Sequence, residues 1–205
     1  IEELNELVSF CRKHNLILIS DEIHAGLILD QDKKHIATGN IPDAADILVT
    51  LQSASKTFNM PGLGCAYAVV KNPILRKKIK QIMNGIVHHV GALGFTATLA
   101  AYQNGKAWHS ELIEYLRLNR EQVEKTLSPC DGLTVYHSEA TYLTWIDARE
   151  MAVNNPSLYF EKFGVGLYDG APFGAPGFLR LNYACPNSIL QEALKRIKSG
   201  LAELT

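Results

Sequence analysis

Two short apolar runs constrain this chain more than any other feature. Leu16-Ile17-Leu18-Ile19-Ser20 leads into Asp21-Glu22-Ile23-His24. Ile47-Leu48-Val49-Thr50-Leu51 leads into Ser53-Ala54-Ser55-Lys56-Thr57-Phe58-Asn59-Met60-Pro61-Gly62. Branched apolar runs of this length, bounded by turn residues, predict buried strands. Strands joined by helical or loop crossovers predict a mostly parallel sheet covered on both faces. Two parallel strands ending side by side bring Asp21 and Lys56 to one carboxyl edge, where open α/β sheets bind their ligands.

The rest of the first hundred residues continues the alternation. Helical periodicity covers 1–14, with Ile1, Leu4, Leu7, Val8 and Cys11 on one face, and a short extended piece lies around 27–29. A strand is predicted at 65–70, Asn72-Pro73 starts a helix, and an apolar helix over 92–103 stops at Asn104-Gly105. A longer helix around 110–127 follows, with Leu112, Leu116, Val123 and Leu127 inward and Glu111, Glu114, Arg117, Arg120 and Glu121 outward. Short strands at 133–136, 142–146 and 178–183 precede a closing helix whose buried face is Ile189, Leu190, Ala193, Leu194, Ile197 and Leu201. The fold class is α/β, part of a large mostly parallel-sheet domain over 1–106, followed by a small α+β domain over 107–205.

Charge excludes some functions. A net charge of -1 and pI near 6.7, with no basic stripe, do not suit a nucleic-acid partner. No apolar run reaches transmembrane length, and Cys11, Cys65, Cys130 and Cys185 lie far apart, as thiols of a reducing cytoplasm do. His88-His89 has no carboxylate or Cys at ligand spacing, so no metal site is expected.

A lysine just past a buried strand, among small hydroxyl residues and a Pro-Gly turn, is open to desolvation. Desolvation lowers a lysine's pKa toward the neutral amine that attacks carbonyls, the first requirement of Schiff-base catalysis. With Asp21 at the same edge, the pair resembles the pyridoxal-phosphate enzymes of the aspartate aminotransferase fold. Ser20-Asp-Glu-Ile-His24 and Ser53-Ala-Ser-Lys-Thr-Phe-Asn-Met-Pro-Gly-Leu63 look most like the branch of cystathionine β-lyases and related carbon–sulfur lyases. Gly177-Phe-Leu-Arg-Leu-Asn-Tyr-Ala-Cys-Pro186 and Glu139-Ala-Thr-Tyr-Leu-Thr-Trp-Ile-Asp147 extend the likeness along the chain. A strand closing in Asp-Glu-x-His also reads as the Mg²⁺ motif of a nucleotide-driven helicase. Against that stand the missing G-x-x-x-x-G-K-[ST], the charge balance and the C-terminal third.

The resemblance implies a role for each residue. Lys56 holds the aldehyde of pyridoxal 5'-phosphate and shuttles the substrate α-proton. Asp21 pairs with the ring nitrogen, and His24 donates to the ring hydroxyl. Ser53 and Ser55 contact the phosphate, whereas Gly64 stands where an arginine is common, a departure shared with the lyase branch. Arg180 clamps the α-carboxylate of an amino-acid substrate, since an Arg among Phe178, Leu179 and Leu181 needs a partner. Tyr142 and Trp145 are expected in the small-domain core. The implied activity is β-elimination from a sulfur amino acid, with transamination as the alternative, in a cytoplasmic homodimer. In that family the opening helix lies mid-chain, so an incomplete half, inactive alone, is expected.

Overall fold

The computed structural model describes residues 1–204 and divides them into two compact units. The first comprises residues 1–26 and 34–110; the second takes 27–33 and the described residues from Glu111 onward. The sequence suggests one change near 107, whereas this division falls between Ser110 and Glu111 and also reassigns a short strap.

In the first unit, β1 (Leu18–Asp21), β2 (Leu48–Ser53) and β3 (Ala66–Val69) form a sheet in that order. β1 and β2 are parallel with Asp21 opposite Leu51, while β3 runs antiparallel with Ala66 opposite Ser53. Helix α1 (Glu2–Lys13) seats Val8 in a small cluster with Ile41, Ala44 and Leu48. Periodicity predicts five inward residues on α1. Val8 and Cys11 are buried, but Ile1 and Leu7 stay 57% and 43% exposed, because the cluster is too narrow to cover the whole stripe. Helix α2 (Pro73–Met83) is capped by Asn72, whose side chain accepts the Ile74 and Leu75 N–H groups. Helix α3 (Ala92–Asn104) ends at Gly105, and α4 (Lys106–Leu127) begins at once.

The second unit is an antiparallel sheet in the order β4-β5-β7-β6, with β4 at Thr134–Val135, β5 at Leu143–Asp147, β6 at Tyr168–Asp169 and β7 at Phe178–Asn182. Helix α5 (Pro156–Glu161) lies between β5 and β6, and α6 (Asn187–Ala202) closes the chain. One face of the sheet enters the core through Thr144, Ile146, Leu179 and Leu181, with Leu116, Val123 and Leu127 of α4 and Leu190, Leu194 and Ile197 of α6. Ile189, expected on that face, is 58% exposed.

Period-2 alternation sends Trp145, Phe178 and Arg180 to the other face. Trp145 is therefore outside the core; it stacks on Phe178 at 5.5 Å. The strap, residues 27–33, pairs with this unit through an Ile28–Ala140 bridge and buries Leu27 and Leu29 completely. Arg120, expected outward, is 5% exposed because its Nη1 donates to Asp30 of the strap at 2.5 Å and to the Ser138 carbonyl at 2.7 Å.

Candidate functional site

The carboxyl ends of β1 and β2 carry the first group of predicted residues. The strand pairing extends one residue beyond Asp21, since Glu22 N–H donates to the Leu51 carbonyl at 3.0 Å. Alternation turns the two acids apart. Glu22 is buried and accepts from Ser20 Oγ at 3.1 Å and Thr38 N–H at 3.0 Å, while its other oxygen meets His35 Nε2 at 2.8 Å. Burial pushes the Glu22 carboxyl up, but the bonds from His35, Thr38 and Ser20 outweigh it and hold the group below its usual range. Glu22 thus ties the strand end to His35 and Thr38 through a carboxyl group held toward its charged form. Asp21 faces solvent and accepts from Ile23 N–H at 3.2 Å.

Beyond β2 the chain makes a helical turn, with Phe58 N–H bonded to Ala54 C=O at 2.9 Å and Met60 N–H to Ser55 C=O at 2.9 Å. Lys56 is inside this turn and half-buried. Two contacts hold the turn. Thr57 packs on Gly26, where an added Cβ would lie 2.6 Å from Thr57 Oγ1. Phe58 is enclosed by Tyr102, Trp108 and His109, with ring centroids 5.9, 6.0 and 5.9 Å away. His109 Nε2 also bonds the Gly26 carbonyl at 2.5 Å, so one imidazole ties the turn after β1 to the turn after β2. Neither His109 nor Gly26 is signalled by the sequence. A lone histidine on a helix looks structural until its partner is seen.

His24 lies between the two turns electrostatically. Burial lowers its pKa, the Lys56 charge lowers it further, and Asp21 partly opposes both. These influences together favour the neutral imidazole. Among the described residues neither Asp21 nor Lys56 enters a salt bridge. A carboxylate, an imidazole and a lysine thus act on one neighbourhood, with no salt bridge between the acid and the lysine among the described residues.

The serines differ. Ser53 is buried, with its Oγ 2.6 Å from the Cys65 carbonyl and 2.8 Å from Ser55 Oγ, and it accepts from Ser55 N–H at 3.0 Å. Its hydroxyl is largely committed to the turn, which leaves Ser55, half-buried, as the more available of the two. Gly64 has φ of 55, in the left-handed region, and a side chain there would meet nothing within 4 Å.

Arg180 belongs to the second unit. It is half-buried on the open face of the sheet, opposite Trp145 on one side and Tyr168 on the other. Its guanidinium lies 4.6 Å from the Tyr168 ring centre and 4.8 Å from that of Phe173. The neighbours Leu179 and Leu181 point into the core, so the strand position imposes no burial of charge. Burial raises the Tyr142 phenol, and the Arg180 charge partly offsets that rise.

Among the described residues no cluster of His, Cys, Asp and Glu suits a metal ion, and no helix is long and apolar enough to cross a membrane.

Comparison with known proteins extends this picture. Residues 1–197 match the profile of the family described as aminotransferase class I and II. The chain is 34% identical to cystathionine beta-lyase PatB of Bacillus subtilis over 98% of its own length and 54% of the relative's. It superposes on the crystal structure of OvoB with TM-score 0.95 and 39% identity, covering 98% of this chain and 53% of that one. Cystalysin of Treponema denticola, whose structure contains a pyridoxal 5'-phosphate cofactor, gives TM-score 0.92 at 29% identity, over 100% of this chain and 54% of the other. The chain spans about half the length of the curated relatives it matches.

Proposed function

This chain belongs to the class I and II aminotransferase family, and from that premise we propose that the full protein is a carbon–sulfur lyase. It uses pyridoxal 5'-phosphate to eliminate the β-thiol of a sulfur amino acid such as cystathionine or cysteine. The observation that carries this reading is the approach of Asp21, His24 and Lys56 at one sheet edge, with acid and amine both outside any salt bridge among the described residues. The donor set fits the cofactor. An amine suits an aldehyde, an anion a protonated pyridine nitrogen, and a neutral imidazole N–H a ring oxygen. Names carried by relatives, a cystathionine beta-lyase and a cofactor-containing cystalysin, support the same class.

Lys56 would hold the aldehyde carbon covalently, Asp21 the ring nitrogen, His24 the ring hydroxyl, and Ser55 with Ser53 the phosphate. Bound there, the cofactor supplies a sink for the electron pair left at the substrate's α-carbon. The remaining work belongs to the chain. Arg180 takes the α-carboxylate in a two-pronged grip and fixes the α-carbon. Once the substrate amine has displaced Lys56 from the aldehyde carbon, the freed Nζ would accept the α-proton and pass it to the departing sulfur, so that the sulfur leaves as thiol and the remaining three-carbon unit takes up water to give pyruvate and ammonium. Asp21 would keep the ring nitrogen protonated. We place this enzyme in the cytoplasm as a homodimer.

Incubating the full-length, cofactor-loaded protein with cystathionine tests the reading. Pyruvate, ammonium and homocysteine should appear in equal amounts without an amino acceptor. Turnover that requires a keto acid and leaves the carbon–sulfur bond intact would replace elimination with transamination.

A further inference from the structure

Five arginines lie in the second unit, and four of them pair with carboxylates. Arg117 bonds Glu114, Arg120 bonds Asp30, Arg149 grips Asp147 at 2.9 and 2.7 Å, and Arg196 bonds Glu192. Among the described residues Arg180 is the exception, and its guanidinium instead lies over two aromatic rings, those of Tyr168 and Phe173. The geometry points to Tyr168 and Phe173 as positioning residues for Arg180, holding its guanidinium by ring faces where an acidic partner would compete with the substrate. This rests on the reading that Arg180 binds the α-carboxylate.

The physical distinction lies in direction. A carboxylate partner occupies the in-plane N–H donors of a guanidinium, the same donors a substrate carboxylate needs. A ring face attracts the cation through its quadrupole from above or below the plane and leaves those donors open. Tyr168 is the β6 residue directly opposite Arg180, so register alone sets its ring beside the guanidinium. Phe173 closes a 3₁₀ turn over Ala171–Phe173 and is held by its N–H bond to the Gly170 carbonyl at 2.9 Å. That turn is tight: a Cβ at Gly170 would lie 2.3 Å from the Ala175 carbonyl. Trp145 meets Phe173 edge-on at 6.1 Å, a further ring contact on that side chain. The rings are largely exposed, at 65% for Tyr168 and 54% for Phe173, so core packing does not account for them.

The test uses the full-length, cofactor-loaded protein. Phe173→Leu and Tyr168→Leu remove the ring face and keep an apolar side chain. Each should weaken competitive inhibition by propionate, and raise KM for cystathionine, by about threefold, with kcat changing far less. Propylamine, which lacks the carboxylate, should inhibit unchanged. Phe173→Tyr and Tyr168→Phe should restore the original values. In the unmodified protein, the Arg180 Nε–H resonance should show a ring-current shift that a Phe173→Leu change reduces. Leu variants that bind propionate normally while Arg180→Lys weakens it would overturn the positioning role and leave the carboxylate reading intact. Propionate binding untouched by Arg180→Lys would overturn both. Equal weakening of propionate and propylamine, or no ring-current shift at Arg180, would also overturn the proposal.

Discussion

Gly26 and Thr57 meet with no room for a side chain between them. A β-carbon at position 26 would stand 2.6 Å from the Thr57 hydroxyl oxygen and 2.7 Å from its methyl group. Thr57 follows Lys56 directly and is 8% exposed, so this contact sets how the lysine's turn lies against the segment that starts at Asp21.

Gly26→Ala should therefore destabilise the fold by about 1–3 kcal/mol, the usual range for overpacking a site that cannot give way. Thr57→Ala removes both clashing atoms. The double variant Gly26→Ala/Thr57→Ala should then recover most of the loss, and urea unfolding of the four proteins checks this as a cycle. Additive effects of the two changes would show that the contact is not the limiting one.

Asp21→Asn keeps the shape of the side chain and its bond from Ile23 N–H but loses the negative charge. In the full-length enzyme it should slow removal of the substrate α-proton by several orders of magnitude while the cofactor still binds. Solvent exchange of the α-proton, followed by NMR, measures that step alone. A rate within about threefold of the original would reduce Asp21 to a turn cap.

In the second unit the strap is held by Asp30, whose carboxyl is kept below its usual range by Arg120 and by His137. His137 in turn is raised, first by Asp30 and also by Glu124, with burial and the Arg120 charge opposing. The signs differ. Asp30 contributes stability that is present above its ordinary pKa, about 4, and fades as pH falls through the lower folded value. His137 contributes stability present below about 6.5 that fades as pH rises through its raised folded value. Thermal stability should peak between these limits, and His137→Gln should flatten the alkaline side by less than about 1 kcal/mol, because the ring is half exposed. Asp30→Asn should cost more, roughly 3 kcal/mol, since it leaves the buried Arg120 charge without its carboxylate partner. Melting curves from pH 3 to 9 decide it; a flat profile in the parent protein would contradict the account.

How much could be read in advance follows from the range of each interaction. The runs before Asp21 and Lys56 announce themselves locally, and parallel pairing puts their ends on one edge, as β1 and β2 do. Leu27 and Leu29 look like any apolar pair; their burial in the second unit depends on partners about a hundred residues away. Arg120 sits on an outward-looking helical stripe, and only Asp30, ninety positions back, makes its burial tolerable. His109 matters through the carbonyl of Gly26, which no side-chain pattern encodes. Trp145 is expected in the core as part of the Glu139–Asp147 stretch, but strand parity puts it on the open face beside Phe178. Ser53 shows the converse, a motif residue whose hydroxyl the structure commits to Cys65.

Lys56 is proposed as the residue to which the cofactor attaches. Borohydride reduction of the full-length, cofactor-loaded protein, followed by peptide mass mapping, tests it without any assay of turnover. The account predicts a pyridoxyl group on Lys56 and on no other lysine. A label on Lys71 or elsewhere, with Lys56 unmodified, would contradict it.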